Sequence, residues 1–174
     1  MSSPPGWLPV ALRYGDFDGD YDRFLAAVYR VFERDFKQSR PHYHNNPISY
    51  DSRMEDGKEA AFWHITSSFD PSTGNRELDL RRAERIPWPK PLIENCTDKA
   101  ISVWRNERIR EKGAKQTRIL IWLEGLDHLV VLAEMRRLTV LVTAYNTDSN
   151  HQRRKLRKER DKYHGMQKPP FQTA

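Results

Sequence analysis

The sequence has a single cysteine and no long apolar run. Cys96, the one cysteine among 174 residues, cannot form a disulfide within the chain, so a disulfide-stapled scaffold is excluded and a reducing, cytoplasmic location is expected. No apolar segment approaches the roughly 20 residues needed to cross a bilayer, and we expect no membrane partner. The opening MSSPPGWLPV has neither the basic region nor the apolar core of a signal peptide.

The sequence also lacks the short motifs of metal and nucleotide chemistry. It contains no HExxH, GxSxG, P-loop or GxGxxG motif. DFDGD at 16–20 is similar to the start of a calcium loop but lacks the later ligands, so it predicts a turn and a helix cap. His42 and His44 have no third ligand nearby. We therefore expect no metal or other cofactor.

The excess positive charge is confined to one segment. The chain carries a net charge of +6, and residues 151–168 alone hold eight Lys and Arg against two acidic residues. Such a segment favours a polyanionic partner, with nucleic acid ahead of a membrane surface. A solvated helix face explains the same pattern equally well.

Hydrophobic periodicity predicts a single α+β domain at 20–164, between an irregular lead-in at 1–19 and a tail at 165–174. Apolar residues three and four apart indicate a helix over 20–37 with Asp20 as its N-cap. The expected fold is this N-terminal helix and an antiparallel sheet of about four to six strands, packed by helices.

The first half of the domain contains one hairpin signal. Strands are predicted at 48–54 and 59–67, flanking the Asp56-Gly57 turn dipeptide. A polar loop at 70–77 follows. Residues 78–95 begin as a basic helical turn that prolines interrupt, with a short helix expected after them.

The second half contains the strongest strand patterns. Residues 99–113 are charged and ambiguous. Three strands are then predicted to form an antiparallel meander: 117–123, 128–136 and 138–145. Ser149 or Asn150 is expected to cap a final basic helix that ends at about His164 and is closed by Gly165.

Strand alternation suggests where chemistry could be concentrated. His64 and Thr66 share one face of the second predicted strand, and Thr143 and Tyr145 share one face of the last. If both strands belong to one sheet with these faces aligned, the four side chains converge. This would explain why a histidine interrupts the apolar stretch FWHITSS.

These residue types suit metal-independent RNA cleavage, in which the ribose 2′-OH attacks the adjacent phosphate. Histidine is the commonest general acid or base, and Thr and Tyr hydroxyls can donate to phosphate oxygens. Arginine binds phosphate with a bidentate fork. Arginines are available before the proline segment, at Arg76, Arg81, Arg82 and Arg85.

Structural explanations for the same residues remain open. A lone strand histidine is more often a hydrogen-bonded structural residue, and Thr143 and Tyr145 are good strand formers. The arginines alternate with acidic residues, as in a salt-bridged helix. The tryptophans are expected in the core, although Trp88, between two prolines, could stack on a nucleic-acid base.

The order of the segments resembles the barnase–EndoU–colicin–RelE ribonuclease superfamily, in its phage- and toxin-associated branch. The similar stretches are FWHITS, DLRRAERIPW, RILIWLEGLDHLVVLAEMR and LTVLVTAYNT, followed by the basic helix. They span about residues 48–163. The resemblance implies a metal-independent endoribonuclease with RNA as its partner, often a toxin restrained by an acidic antitoxin or immunity protein.

The resemblance also implies residue roles. His64 matches the strand histidine that acts as general acid or base, while Thr143 and Tyr145 match the TAY segment that contacts phosphate. Arg82 and Arg85 match the phosphate clamps, and Thr66 is a secondary candidate. Contacts to the RNA backbone are expected from Arg81, Arg153, Arg154, Lys155, Arg157 and Lys158. The second basic group of the family has no identifiable counterpart here.

Three hypotheses about function follow. The first is the endoribonuclease, predicted to cleave RNA in EDTA. The second is a non-catalytic nucleic-acid-binding accessory protein that uses the basic helix and binds in a salt-sensitive way. The third is a protein-interaction partner whose basic helix meets an acidic surface.

Overall fold

The computed structural model describes residues 3–110 and 113–166 and has a mixed α+β fold, as the sequence predicts. The helices are α1 Tyr21–Phe32, α2 Ala60–Thr66, α3 Leu80–Glu84, α4 Pro89–Glu94 and α5 Asn150–Met166. The strands are β1 His42–Tyr43, β2 Asn46–Ser49, β3 Met54–Glu55, β4 Lys58–Glu59, β5 Ser67–Asp70, β6 Asn75–Leu78, β7 Ser102–Ile109, β8 Lys115–Leu123, β9 His128–Glu134 and β10 Thr139–Asn146.

The main sheet has six strands in the order β1-β2-β10-β9-β8-β7. Its centre is the predicted meander, and β7 joins it at one edge through the segment that the sequence left ambiguous. β2 pairs with β10 in parallel, at Thr139 and Val140 only. The rest of that edge of β10 is therefore left for helices α2 and α3, which pack beside it.

The two faces of the sheet are buried against different helices. On the first face, which we call the core face, sheet residues join the apolar side of α1, α2 and α4. On the opposite face, which we call the α5 face, Trp104, Leu120, Trp122 and Leu129 pack with Leu156 of α5. Strands β8 and β9 are apolar on both sides for this reason, which explains the continuous runs RILIWL and HLVVLA.

The N-terminal helix forms as predicted, with one change of geometry. The Asp20 side chain caps α1 by accepting from the Arg23 backbone N–H at 3.0 Å, and Phe24, Val28 and Phe32 are fully buried. From Glu33–Gln38 the chain continues as a π-helical turn.

The predicted strand at 59–67 is wrong, because most of it is helix α2. Its apolar residues Ala61, Phe62 and Ile65 recur at spacings of one, three and four, which places them on one helical side against the core. The run is short enough to fit a strand period as well. His64 therefore lies on a helix and shares no sheet face with Thr143.

Two neighbouring predictions need smaller corrections. The strand predicted at 48–54 is only Asn46–Ser49, and Met54–Glu55 instead pairs with β4 around the Asp56-Gly57 turn. Both turn residues have positive φ, 46° and 77°, so the turn signal is confirmed. The loop predicted at 70–77 is mostly the exposed β5–β6 hairpin.

The chain ends also differ slightly from the prediction. Ser149 caps α5, since its Oγ accepts from the Gln152 backbone N–H at 3.0 Å. The helix passes through Gly165 to Met166, so Gly165 does not end it. Residues 1–2 of the lead-in and 167–174 of the tail lie outside the described residues. No helix in the described part is long and apolar enough to cross a membrane.

A buried histidine makes the stability of the fold depend on pH. The His128 ring is 1% exposed, its Nδ1 lies 3.2 Å from Asn146 Oδ1, and burial lowers its pKa to about 4. Between pH 6.5 and about 4 the unfolded chain takes up a proton that the folded chain does not. The free energy of unfolding should therefore decrease as the pH is lowered through this window. This group contributes at most about 1.4 kcal/mol per pH unit to the decrease.

Urea unfolding of the wild type and His128→Gln at pH 7, 6, 5 and 4.5 measures this effect. The slope of unfolding free energy against pH should be shallower in His128→Gln than in the wild type, and the exposed His151→Gln is the control for replacing a histidine elsewhere. Equal slopes in all three proteins would show that His128 does not titrate differently on folding.

Candidate functional site

A cavity of about 150 Å³ lies between α5 and the α5 face of the sheet. Its apolar floor includes Leu120, Val131 and Leu156. Polar and charged side chains from β7, β8, β10 and α5 form the rest of its lining: Asn106, Arg108, Arg118, Thr143, Tyr145, Gln152, Lys155 and Glu159. The cavity thus brings cations, a carboxylate, amides and hydroxyl groups together.

The position of α5, and hence the shape of the cavity, depends on ion pairs at the β8–β9 turn. Glu124 accepts from Arg157 at 2.5 Å and from Arg160 at 2.8 Å, and Arg153 pairs with Asp127 at 3.1 Å. Burial raises the pKa of Glu124, but the hydrogen bonds from both arginines more than offset this and leave it lowered.

The basic helix therefore divides its cations between two tasks. Arg153 and Arg157, predicted to contact RNA, form ion pairs with Asp127 and Glu124 that hold α5 on the sheet. Four other cations are exposed and form no ion pair among the described residues: Arg154, Lys155, Lys158 and Lys162. Lys155 is the member of this set that also lines the cavity.

Arg118 is the cation in the cavity lining whose surroundings differ most from those of a surface arginine. Its Nε is buried and has no hydrogen-bond partner among the described residues. Burial lowers the pKa of this guanidinium, and the positive charges of Arg108 and Arg110 lower it further. A half-buried cation with an unpartnered Nε beside two like charges is stabilised by a nearby anion, so the geometry favours a negatively charged ligand here.

β10 contributes two hydroxyl groups to the cavity. Its pairing with β9 shifts register between Leu141 and Thr143, and both Thr143 and Tyr145 line the cavity. Burial raises the pKa of Tyr145, so the phenol stays protonated at neutral pH and can donate. The Arg82 guanidinium lies 5.6 Å from the centre of the Tyr145 ring.

A carboxylate and an amide complete the polar wall. Glu159 Oε1 accepts from Trp104 Nε1 at 2.9 Å and from Asn106 Nδ2 at 2.5 Å. Glu159 is the one carboxylate among the described residues that line the cavity. The Asn106 Oδ1 atom is buried without a partner in the described part of the chain.

The His64 imidazole is not among the groups that line the cavity. His64 meets the site through its main chain, because its carbonyl accepts from Thr143 Oγ1 at 2.8 Å. Burial lowers the pKa of the ring, and Arg76 lowers it further against the opposing effect of Glu55 and Asp51. Of the four side chains predicted to converge, the cavity lining includes only Thr143 and Tyr145.

Thr66 has a structural contact instead of a site contact. It is fully buried, and its Oγ1 donates to the Phe62 carbonyl one turn earlier at 2.7 Å. This hydrogen bond satisfies the hydroxyl inside the core. Thr66 therefore helps to end α2 and does not reach the cavity.

The arginines before the proline segment mainly brace the fold. Arg82 Nη1 donates to the Ser67 carbonyl at 2.8 Å, and Arg81 pairs with Asp148 at 2.8 Å. The Arg85 guanidinium lies 5.0 Å from the Trp88 ring. Burial lowers the pKa of both Arg82 and Arg85. The structure brings Arg82 beside Tyr145 and leaves Arg85 away from the cavity lining.

Trp88 does not offer a stacking surface to a nucleic-acid base. It is 8% exposed, and its Nε1 donates to the Pro9 carbonyl at 3.0 Å. The indole instead packs edge-on against His128. The alternative of a base-stacking platform at this position is wrong.

Sequence reasoning missed the cavity residues Asn106, Arg108, Arg118 and Glu159. The first two lie in the segment that was left unassigned, although Trp104, Asn106 and Arg108 alternate as one face of a strand should. Arg118 precedes the apolar part of β8 and carries no motif. Its importance comes from burial, which the linear pattern does not report.

The comparisons with known proteins add no relative. No protein-family model, no curated protein and no solved structure matches the chain. The similarity to the ribonuclease superfamily stays a hypothesis carried by the sequence motifs. Among the described residues, no group of three or more His, Cys, Asp and Glu side chains could hold a metal ion.

The two neighbouring arginines of α3 should differ sharply in their effect on stability. Arg82→Ala removes a half-buried guanidinium that donates to the Ser67 carbonyl and covers Tyr145, and should cost about 1–3 kcal/mol. Arg81→Ala removes an exposed ion pair and should cost less than about 1 kcal/mol. Urea unfolding of both variants checks this, and equal losses would contradict the bracing role of Arg82.

Proposed function

We propose that the protein is a metal-independent endoribonuclease that binds an RNA phosphate in the cavity beneath α5. The observation that carries the proposal is the half-buried Arg118 guanidinium, whose Nε is buried without a hydrogen-bond partner among the described residues and which lies near two further arginines. A phosphodiester would supply the missing negative charge and hydrogen-bond acceptors. The resemblance of the sequence to the ribonuclease superfamily supports the same assignment.

The proposed reaction is an internal transfer at phosphorus. The ribose 2′-oxygen forms a bond to the adjacent phosphorus while the bond from phosphorus to the 5′-oxygen breaks. The 2′-hydroxyl gives its proton to a base, and the leaving 5′-oxygen takes a proton from an acid. The products are a 2′,3′-cyclic phosphate and a 5′-hydroxyl.

The cavity contains a group for each of these tasks. Glu159 supplies a carboxylate that can accept the 2′-hydroxyl proton, and Tyr145 supplies a phenol that can donate. Arg118 and Arg108 stabilise the charge that develops on the phosphoryl oxygens. Lys155 adds positive charge from α5.

A non-catalytic nucleic-acid-binding protein is the second candidate, and one observation favours it. Arg154, Lys158 and Lys162 are exposed, have no ion pair in the described part of the chain and are spaced four residues apart. They form a row with steps of about 6 Å along α5.

An acidic inhibitor protein would cover the same row if the ribonuclease acts as a toxin in the cytoplasm.

Cleavage of total cellular RNA in EDTA tests the assignment of the site. Arg118→Gln should lower the rate of cleavage by about 100-fold or more, since it removes a charged group aimed at the phosphate. His64→Ala should retain the wild-type rate within about threefold, because its contact with Thr143 uses the backbone carbonyl. The products of the wild type should end in 2′,3′-cyclic phosphate.

Arg23→Gln on the outer side of α1 serves as the matched control for loss of one positive charge. Circular dichroism shows whether each variant is folded. If folded His64→Ala were inactive and Arg118→Gln fully active, the histidine would be the catalytic group and the cavity assignment would fail. Binding of RNA without cleavage by the wild type would favour the second candidate.

The row on α5 gives a separate prediction about RNA affinity. Lys158→Gln combined with Lys162→Gln removes two exposed cations and should weaken RNA binding, with the slope of log affinity against log salt shallower by about 1.4. Fluorescence anisotropy at several salt concentrations measures this slope. An unchanged slope would show that Lys158 and Lys162 do not contact the RNA backbone.

A further inference from the structure

A second concave site lies beside the β9–β10 turn, with a volume of about 460 Å³. Its lining includes Asn46 and Ser49 of β2, Thr139 of β10, and Arg136 and Arg137 of the turn. Both arginines are exposed and form no ion pair among the described residues. We call this site the turn cleft. Its donors and positive charge fit a phosphate-bearing ligand.

The carboxylate in the turn cleft does not neutralise these arginines. Glu134 also lines the cleft, but it accepts from Arg105 Nη2 at 2.9 Å and from Arg105 Nε at 3.0 Å. The negative charge of Glu134 is thus neutralised by Arg105 of β7. Arg136 and Arg137 remain available for an external anion.

Ser49 of the turn cleft and Arg118 of the cavity project to the same side of the sheet. Thr139 and Glu134 of the cleft project to the core face, because Thr139 pairs with both Glu134 and the buried Ile48, so the cleft lies at the strand ends and extends to both sides. The pairing register forms one row across the strands, in which Arg118 pairs with Ala133, Ala133 with Val140, and Val140 with Ser49. Paired residues of neighbouring strands project to the same side. Arg118 of the cavity and Ser49 of the cleft are therefore three strand spacings apart, or about 14 Å.

The two sites also share a basic rim. In an antiparallel meander, the β7–β8 and β9–β10 connections lie at the same end of the sheet. Arg108 and Arg110 lie at the first connection, and Arg136 and Arg137 lie at the second. Only the small side chains of Ala133 and Val140 separate Arg118 from Ser49 in the row.

From this arrangement we infer that the substrate is single-stranded RNA bound across the strands, with one phosphate in the cavity and a neighbouring nucleotide in the turn cleft. This inference rests on the proposed function of the cavity. A rigid duplex cannot bring a phosphate into a cavity of about 150 Å³ enclosed by α5, whereas a flexible single strand can follow both concavities. In this binding mode, Arg136 and Arg137 contact the backbone of the nucleotide in the turn cleft.

The test measures binding to RNA that cannot be cleaved, so it does not depend on catalysis. The probe is a fluorescein-labelled, fully 2′-O-methylated single strand of about ten nucleotides, which is within the range of single-strand site sizes. Anisotropy gives the affinity of the wild type, Arg118→Gln and the double variant Arg136→Gln/Arg137→Gln. Arg23→Gln/Arg30→Gln on α1 is the control with the same change of charge. A 2′-O-methylated hairpin duplex serves as the competitor.

The double variant of the turn cleft should bind at least tenfold more weakly than the wild type, and its salt slope should be shallower by about 1.4. The α1 control should stay within about twofold, and the duplex should bind at least tenfold more weakly than the single strand. Arg118→Gln should also lose affinity, because one strand occupies both sites.

Specific outcomes would overturn the inference. If the turn-cleft variant matched the α1 control while Arg118→Gln lost affinity, the second site would be wrong and the cavity would stand. Equal binding of duplex and single strand would refute the choice of substrate. If neither variant differed from the control, the inference would fail, and the cleavage assay alone would decide the proposed function.

Discussion

The attachment of α5 to the sheet is the constraint on which the candidate site depends. Leu156 is buried against the tryptophans of the α5 face, and Glu124 holds both Arg157 and Arg160. Apolar burial provides the attraction, and the ion pairs set where the helix lies. Without this attachment there would be no wall opposite Arg118, and its guanidinium would be solvated like that of any surface arginine.

β10 connects this site to the rest of the molecule. It pairs with β2 over two residues only, and α2 and α3 pack along the remainder of its edge. Thr143 is held there by the His64 carbonyl, and Tyr145 lies under the Arg82 guanidinium. The segments that resemble the ribonuclease superfamily thus meet at one strand. In this fold, FWHITS contacts β10 through the His64 carbonyl, and DLRRAERIPW contacts it through the Arg82 guanidinium.

Long periodic segments could be predicted from the sequence, and short ones could not. The meander, α1 with its Asp20 cap and the Ser149 cap of α5 all follow from local pattern. The strand predicted through FWHITSS is wrong because seven residues fit a period of 2 as well as one of 3.6. Only packing against the core decides between strand and helix. The prediction that Trp88 could stack on a base is wrong for a related reason. The prolines on either side of it do not indicate whether its side chain is buried.

The sequence by itself determined the fold class, the basic character of α5 and the placement of Thr143 and Tyr145 on one strand. These depend on propensity, spacing and charge, which are properties of neighbouring residues. Only the tertiary structure decided that Arg118, Arg108, Asn106 and Glu159 share a cavity and that Arg153 and Arg157 are occupied by internal ion pairs. The physical reason is that burial and electrostatic environment arise between strands and helices distant in the chain, where linear spacing carries no information.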